Sequence, residues 1–439
     1  MLGAAADISR LDAVSVIVAH RPRECVDDAD PVYRQFLDFK ARKIEQTFAY
    51  WRDEVHAQYP DVVFIVSTTT IPALTDREMT TRLARVADSS KNEYRLAVAP
   101  GLNKHVFERN PDLAEPSKHV RQALGWTVLR DSADGRPPQI WISGVPDCSH
   151  ARAAAGSLLT FGCIANMDVD EQSLLASEEP APGKTPLDAL RAAFALGRVA
   201  SPHLATAQPV RWAAVHFAER ARNARADNYA AAWREVLWPL VGPFQALCED
   251  GLPVGVVNDE QLQRAALTGY RVLVLPDPTN LTSAQIEAVV AFKASGGIVI
   301  ENEPSWAWSD VAGQAAAFAA FREAVPLRSA PIRVPGGPAG RYAVAYRTAD
   351  QLVVAVTNDF EWVQITNRRN VPSHINDPAP HAEGVTVTWG RGNGVPQPPP
   401  FRAFEVISRT PLDVETTPHG FRVNLPTFPF IALVVITRA

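Results

Sequence analysis

The sequence predicts an α/β protein built from three consecutive modules: a βα-repeat module, an open parallel sheet and a small antiparallel β-sandwich. Three observations predict it. Apolar strand-like runs alternate with amphipathic stretches up to about residue 200, and that alternation demands a parallel sheet covered by helices. From Arg211 to Trp308 the alternation continues, with matching cap and stop residues. After Pro331 short apolar runs are separated by Pro, Gly and Asn, the pattern of antiparallel strands joined by turns.

In the first module, the apolar run Ala13 to Ala19 reads as a buried strand. Pro31 to about Gln58 reads as an amphipathic helix, with Tyr33, Leu37, Ile44, Phe48, Trp51 and Val55 near three- and four-residue spacings and Pro60 as its stop. Val62 to Val66 reads as a buried parallel strand, bounded by Ser67 to Thr70. Thr75 to Ala87 reads as helix and short strand leading to Asp88–Tyr94, and a helix follows from Ser117 to Gly125. The strand Gln139–Ser143, an Ala-rich helix Ser149–Phe161 and the short strand Cys163–Asp168 come next. Thr185 as cap, Pro186 at the first position and Asp188 in the first turn announce another helix. These make about four βα units. A closed barrel needs eight, whereas four can form an open sheet, and both readings stand.

In the middle module, Trp212–Phe217, Val254–Val257 and Tyr270–Pro276 read as strands, and a fourth follows Gly296-Gly297. Tyr229, Trp233, Val236, Leu237, Leu240, Phe244 and Leu247 line one face of a helix that Gly251 ends. Thr282 with Gln285 is a capping-box pattern, and Gly296-Gly297 closes the helix it opens. Ligands of open parallel sheets bind beyond the strands' carboxyl ends, where Asn223, Arg225, Asn258, Asp259, Asp277, Asn280, Asn302 and Glu303 fall. The plainer reading, which is preferred, is that these residues are solvated loops or a subunit contact. In the last module, Tyr342–Tyr346, Leu352–Thr357, Gly384–Trp389, Phe421–Leu425 and Ile431–Ile436 supply the strands of the sandwich.

Composition narrows the function. The 439 residues suit two or three domains, here 1–205, 206–328 and 329–439. A net charge of -5 argues against nucleic-acid binding, which wants a basic footprint. Cys25, Cys148, Cys163 and Cys248 lie far apart and form no CxxC pair, so neither a disulfide scaffold nor a Cys-rich metal site is expected. The histidines are scattered, and no glycine-rich phosphate loop follows a strand. No cofactor and no metal are therefore expected. With no signal-peptide pattern and no run long enough to span a bilayer, a cytoplasmic protein with no membrane partner is expected.

The middle module is similar to flavodoxin-like sheets of the class I glutamine amidotransferase shape, but Glu301-Asn302-Glu303 stands where a nucleophilic cysteine should follow strand four. Glutamine hydrolysis is excluded on that ground. Gly251-Leu252-Pro253-Val254, Tyr270 to Pro276, Leu281-Thr282, Gly296-Gly297, Gly384 to Val387, Asn424-Leu425-Pro426 and Ala432 to Ile436 carry a wider likeness. In these segments, and in Pro31-Val32-Tyr33 and Tyr59-Pro60-Asp61, the chain resembles the C-terminal two thirds of bacterial glycoside hydrolases of the thermophilic β-galactosidase type. The resemblance implies a partial TIM barrel, then a cysteine-less amidotransferase-like trimerisation domain, then a small β domain. It also implies a carbohydrate substrate or ligand and a homo-oligomer.

On that alignment Pro31 to Val66 corresponds to the helix after barrel strand four and then strand five, and no Asn-Glu proton-donor pair ends an apolar strand in residues 1–29. Glycoside hydrolysis needs two carboxyl groups facing one bond. The ranked carboxylates are Glu93, following the sixth strand, and Asp147, at the end of the seventh. Trp141, Asp168 and Asp170 are the expected substrate-binding residues, Trp141 through stacking on a sugar face. The function implied is β-galactosidase-type O-glycosyl hydrolysis with an incomplete catalytic barrel. The alternative is an inactive relative serving as an oligomerisation or carbohydrate-binding protein.

Overall fold

A computed structural model describes residues 31–67, 80–95, 104–116, 118–143, 148–167, 186–225, 228–334, 342–357, 386–390, 401–417, 420–428 and 430–438. The apolar run at 13–19, the cap Thr185 and the Pro-rich stretch at 396–400 lie outside the described residues.

The first module is α1 (Pro31–Gln58), β1 (Ile65–Ser67), α2 (Thr80–Val86), β2 (Ser89–Arg95), α3 (Lys104–Arg109), α4 (Lys118–Ser132), β3 (Gln139–Ser143), α5 (Cys148–Thr160), β4 (Ile164–Met167) and α6 (Pro186–Leu204). Its four strands are all parallel and stand side by side in chain order, β1-β2-β3-β4. Same-handed crossovers between strands in such an order place every helix on one face, so the sheet is an arc of a (β/α) barrel. Burial follows from this winding. Val66, Ser90, Ile140 and Ile142 on the helix-covered face are buried, whereas Ile65 and Ile164 on the other are 40% and 47% exposed.

Two readings of this module need correction. β2 is a full seven-residue strand, and Glu93 lies within it rather than after it. Its polar sequence hides it, because only one face of the sheet is covered and no apolar run is required. α4 runs on past Gly125 to Ser132, since Trp126, Val128 and Leu129 continue its buried face. The cost of one helical glycine, about 1 kcal/mol, is small beside that burial.

The second parallel sheet follows β5 (Gln208–Pro209) and contains β6 (Ala213–Phe217), β7 (Val254–Asn258), β8 (Val272–Leu275) and β9 (Ile298–Glu301). Between β6 and β7 run α7 (Glu219–Asn223), α8 (Tyr229–Ala232), a π-helical turn Trp233–Leu237 and α9 (Trp238–Glu249). Pro239 and Pro243 lie within α9 and cannot donate to carbonyls one turn earlier; the wider turn just upstream is where the backbone adjusts its register. Gly251 at φ +61° ends the helix, and its position lets Val334 backbone approach so closely that a methyl group there would collide. α10 (Asp259–Gln263), α11 (Ser283–Ala294) and α12 (Gln314–Ala324) complete the layer. Capping boxes at Asn258/Gln261 and Thr282/Gln285 start α10 and α11.

The order here is β7-β6-β8-β9, so the chain winds outward in both directions from β6, and the switch point lies between β6 and β8. Helices then cover both faces, and β6, β7 and β8 are buried along their whole length. α4 is shared by the two sheets. Its Asp131 carboxylate accepts from Val256 N–H at 2.9 Å, its Asp131 carbonyl accepts from Gln261 Nε2 at 2.8 Å, and Ser132 Oγ accepts from Asn258 Nδ2 at 3.2 Å. One core cluster accordingly runs from Val106 through Phe217 and Trp238 to Val435.

The C-terminal strands are β10 (Ile332–Arg333), β11 (Tyr342–Arg347), β12 (Gln351–Thr357), β13 (Thr386–Gly390), β14 (Phe401–Glu405), β15 (Thr410–Leu412), β16 (Val414–Thr417), β17 (Gly420–Asn424) and β18 (Ile431–Arg438). They form two antiparallel sheets, β10-β13-β17-β16 and β15-β14-β18-β12-β11-β5, with Ile332, Ala343, Val354, Val423 and Val434 among the core between them. The sandwich expected from sequence is present, with one addition. β5, from the segment before the second parallel sheet, joins its edge through Tyr346–Pro209 and Arg347–Gln208 pairing.

Candidate functional site

Polar residues gather in two places, along the strands of the first sheet and at the carboxyl ends of the second. In the first sheet, Glu93 of β2 is in register with Trp141 of β3, and Trp141 with Asn166 of β4. Lys91, two residues before Glu93 in β2, lies on the same face of the sheet as Trp141, whose ring it meets. That face is the open one: Lys91 and Trp141 are half-buried and Asn166 is exposed. Lys91 Nζ sits 4.5 Å from the Trp141 ring centroid, a cation–π contact. The structure therefore brings Glu93 and Trp141 together on adjacent strands. Asp147, Asp168 and Asp170 lie outside the described residues; Asp147 follows β3 by four residues, and Asp168 directly follows β4.

The second constellation sits at the switch point of the other sheet, and three of its members were not singled out from sequence. His216, fully buried near the end of β6, meets Asp259 at the start of α10 with Nε2 and Oδ1 3.1 Å apart. The Asp259 carboxylate also accepts from Arg220 N–H at 2.9 Å and from Gln285 Nε2 at 2.9 Å. Burial opposes its ionisation, but the His216 hydrogen bond and charge, with these other donors, hold its carboxyl below the ordinary value. Glu219, buried at the start of α7, accepts from Thr81 Oγ of α2 at 2.8 and 2.9 Å. Burial pushes the Glu219 carboxyl up to about 7; the Arg222 charge pulls it down and the Asp259 charge raises it further. The one sequence signal for this cluster was a histidine within an otherwise apolar strand. The Glu219 contact with Thr81 spans 138 residues, and no local pattern reveals it.

The other polar residues expected at this sheet's ends are braces. Asn258 caps α10. Asp277 accepts from Thr279 Oγ1 at 2.7 Å and Asn280 Nδ2 at 2.6 Å. Asn302 accepts from Trp308 Nε1 at 2.9 Å, and Arg225 pairs with Glu235. Among the described residues, no group of three or more His, Cys, Asp or Glu side chains is placed to hold a metal ion. No helix among them is long and apolar enough to cross a membrane.

No family model matches the chain, and no curated protein matches it either. Solved structures do. The β-galactosidase from Bacillus circulans sp. alkalophilus is similar over 92% of this chain and 68% of its own, with a TM-score of 0.57 at 12% identity. A catalytic mutant of a GH42 β-galactosidase from G. stearothermophilus is similar over the same shares, with a TM-score of 0.56 at 10% identity. The β-galactosidase from the psychrophilic Marinomonas ef1 gives 0.54 at 12% identity, again over 92% and 68%. The fold is thus glycoside hydrolase-like: an arc of (β/α) barrel, a second parallel sheet and an antiparallel β domain.

Proposed function

We propose that this protein acts on carbohydrate as a glycoside hydrolase of the β-galactosidase type, with its sugar site at the carboxyl ends of β1–β4. The observation that carries the reading is the open face of that sheet, where Glu93 and Trp141 share a register position, within a fold similar to β-galactosidases over 92% of the chain. In barrels of this kind functional side chains sit at strand carboxyl ends. Glu93 stands on β2 and Asp147 follows the neighbouring strand β3 by four residues in the chain; the reading takes them as the two carboxyl groups that glycoside hydrolysis requires. Trp141 offers an aromatic surface to a sugar ring, and Asp168 and Asp170 offer acceptors to its hydroxyls. The second parallel sheet and the sandwich then serve assembly, the former as the contact of a homo-oligomer.

The test is hydrolysis of a panel of aryl glycosides by the wild type, Glu93→Gln and Asp147→Asn. Turnover of an aryl β-galactoside that falls at least about 100-fold in either variant, without loss of folding, supports the reading. A second reading is a sugar-binding or assembly protein without turnover. The four strands of the barrel-like sheet among the described residues favour it, because a cylinder of eight places catalytic groups around the whole rim. Saturable galactoside binding with no hydrolysis would select it.

A further inference from the structure

We propose that the chain opens in two units whose boundary runs through the first sheet and not between the modules. α1, β1 and α2 form an outer wing that opens by itself; α4, β3, α5 and β4 open only together with the second sheet and the sandwich. Apolar packing draws that line. Ile140 and Ile142 of β3 and Phe161 after α5 share one core cluster with Phe217 of β6 and with Tyr346 and Leu433 of the sandwich. The wing has its own small cluster, Val66, Leu83 and Ala87, with Ile44, Phe48 and Phe64 packed against it. Where α2 meets α4, the apolar contact is Ala84 against Leu129 and Ala133. β2, paired with both β1 and β3, is the boundary strand.

The hydrogen bonds fall on the same line. Arg130, near the end of α4, is buried; its Nε donates to Asp131 Oδ1 at 2.9 Å and its Nη1 to the Phe161 carbonyl at 3.2 Å, in the turn that leads to β4. The Asp131 carboxylate in turn holds Val256 N–H of β7, and the Tyr346 hydroxyl of the sandwich donates to the Thr160 carbonyl at 2.6 Å. Gly162, at φ +72°, lets Tyr346 and Arg130 close on that turn: a methyl group there would stand 3.0 Å from Tyr346 Oη. Pulling the turn away would leave a buried guanidinium and a buried hydroxyl without partners, which is costly. The wing is tied more loosely. Besides the buried Thr81–Glu219 contact, Arg85 pairs with Glu260 near the surface, and Arg136 Nη2 donates to the Arg85 carbonyl at 2.7 Å; partly exposed ion pairs contribute little.

Regions with few buried apolar contacts open ahead of the rest. The wing carries Ile65 on the open face and covers one edge of β2. Its opening therefore frees that edge while Trp141 of β3 stays in place. The two units stand whether or not the protein hydrolyses glycosides.

Native-state amide hydrogen exchange of the full chain, at one pH and in increasing denaturant, tests this, with β7 as the internal reference. In the wild type the amides of α1 and α2 should exchange at least about ten-fold faster than those of β7, while β3 and β12 exchange together with β7. Leu83→Ala should speed α1 and α2 by about 30-fold or more and leave β3, β7 and β12 unchanged. Arg130→Ala should speed β3, β7 and β12 by one common factor. Wild-type α1 and α2 that exchange with β7 overturn the proposal, as does a wild-type β3 that exchanges with α1, whether or not either variant folds. A folded Arg130→Ala variant in which β3 alone loses protection overturns it too.

Discussion

Among the described residues the two parallel sheets have four strands each and opposite consequences. β1–β4 stand in chain order and leave Ile65 and Ile164 on an exposed face; β7-β6-β8-β9 wind both ways and bury β6, β7 and β8 throughout. Winding direction alone decides how much of a strand is available for ligand. A single-wound arc leaves a whole face of side chains such as Lys91, Trp141 and Asn166 open along the strands. A doubly wound sheet leaves only its strand ends, and here those ends are occupied by caps and by the His216–Asp259 pair. On the proposed reading, ligand chemistry belongs to the first sheet and cohesion to the second.

Substitutions in the two sheets test this contrast. The largest effect should come from the second sheet. Phe217→Ala, at a fully buried ring stacked under Arg222, should cost about 3–5 kcal/mol in denaturant unfolding. In the first sheet the two faces should differ. Ile142→Ala on the covered face should cost about 2–5 kcal/mol, whereas Gln139→Ala on the open face should stay within about 0.5 kcal/mol. Equal losses at both positions would show that the open face is packed.

Asp259→Asn should cost about 1–3 kcal/mol at pH 7 by weakening a buried hydrogen-bond set. Because the Asp259 carboxyl is held below 3.8 in the folded protein, its contribution is present above that value and lost as the pH falls through the folded one. The acid limb of a melting-temperature profile should therefore be shallower in the variant. The smallest effect is expected at a cap: Thr282→Ala, which removes the oxygen that accepts from Gln285 N–H at 3.2 Å, should cost about 1 kcal/mol.

What was legible in the sequence was what local physics dictates. The 28-residue helix α1 showed in its apolar spacing, and α11 in its Thr282/Gln285 capping box. β6 and β8 showed as apolar runs because they are buried on both faces. β2 did not, since Ser89 to Arg95 is almost wholly polar and becomes a strand through pairing with β1 and β3. The edge strand β5 was hidden for the same reason, being two residues whose partner lies more than a hundred residues away. Glu93 and Trp141 could be named as candidates from the sequence, whereas their shared register could not, since it comes from pairing between strands. The Thr81–Glu219–Asp259 grouping was invisible, because it exists only once two sheets have packed.

The claim that ligand chemistry belongs to the first sheet is tested most directly by a crystal structure of the full chain with a non-hydrolysable aryl thiogalactoside. The account predicts the sugar at the carboxyl ends of β1–β4, within contact of Trp141 and Glu93. A sugar seated instead at the β6–β8 crevice, or in the sandwich alone, would contradict it.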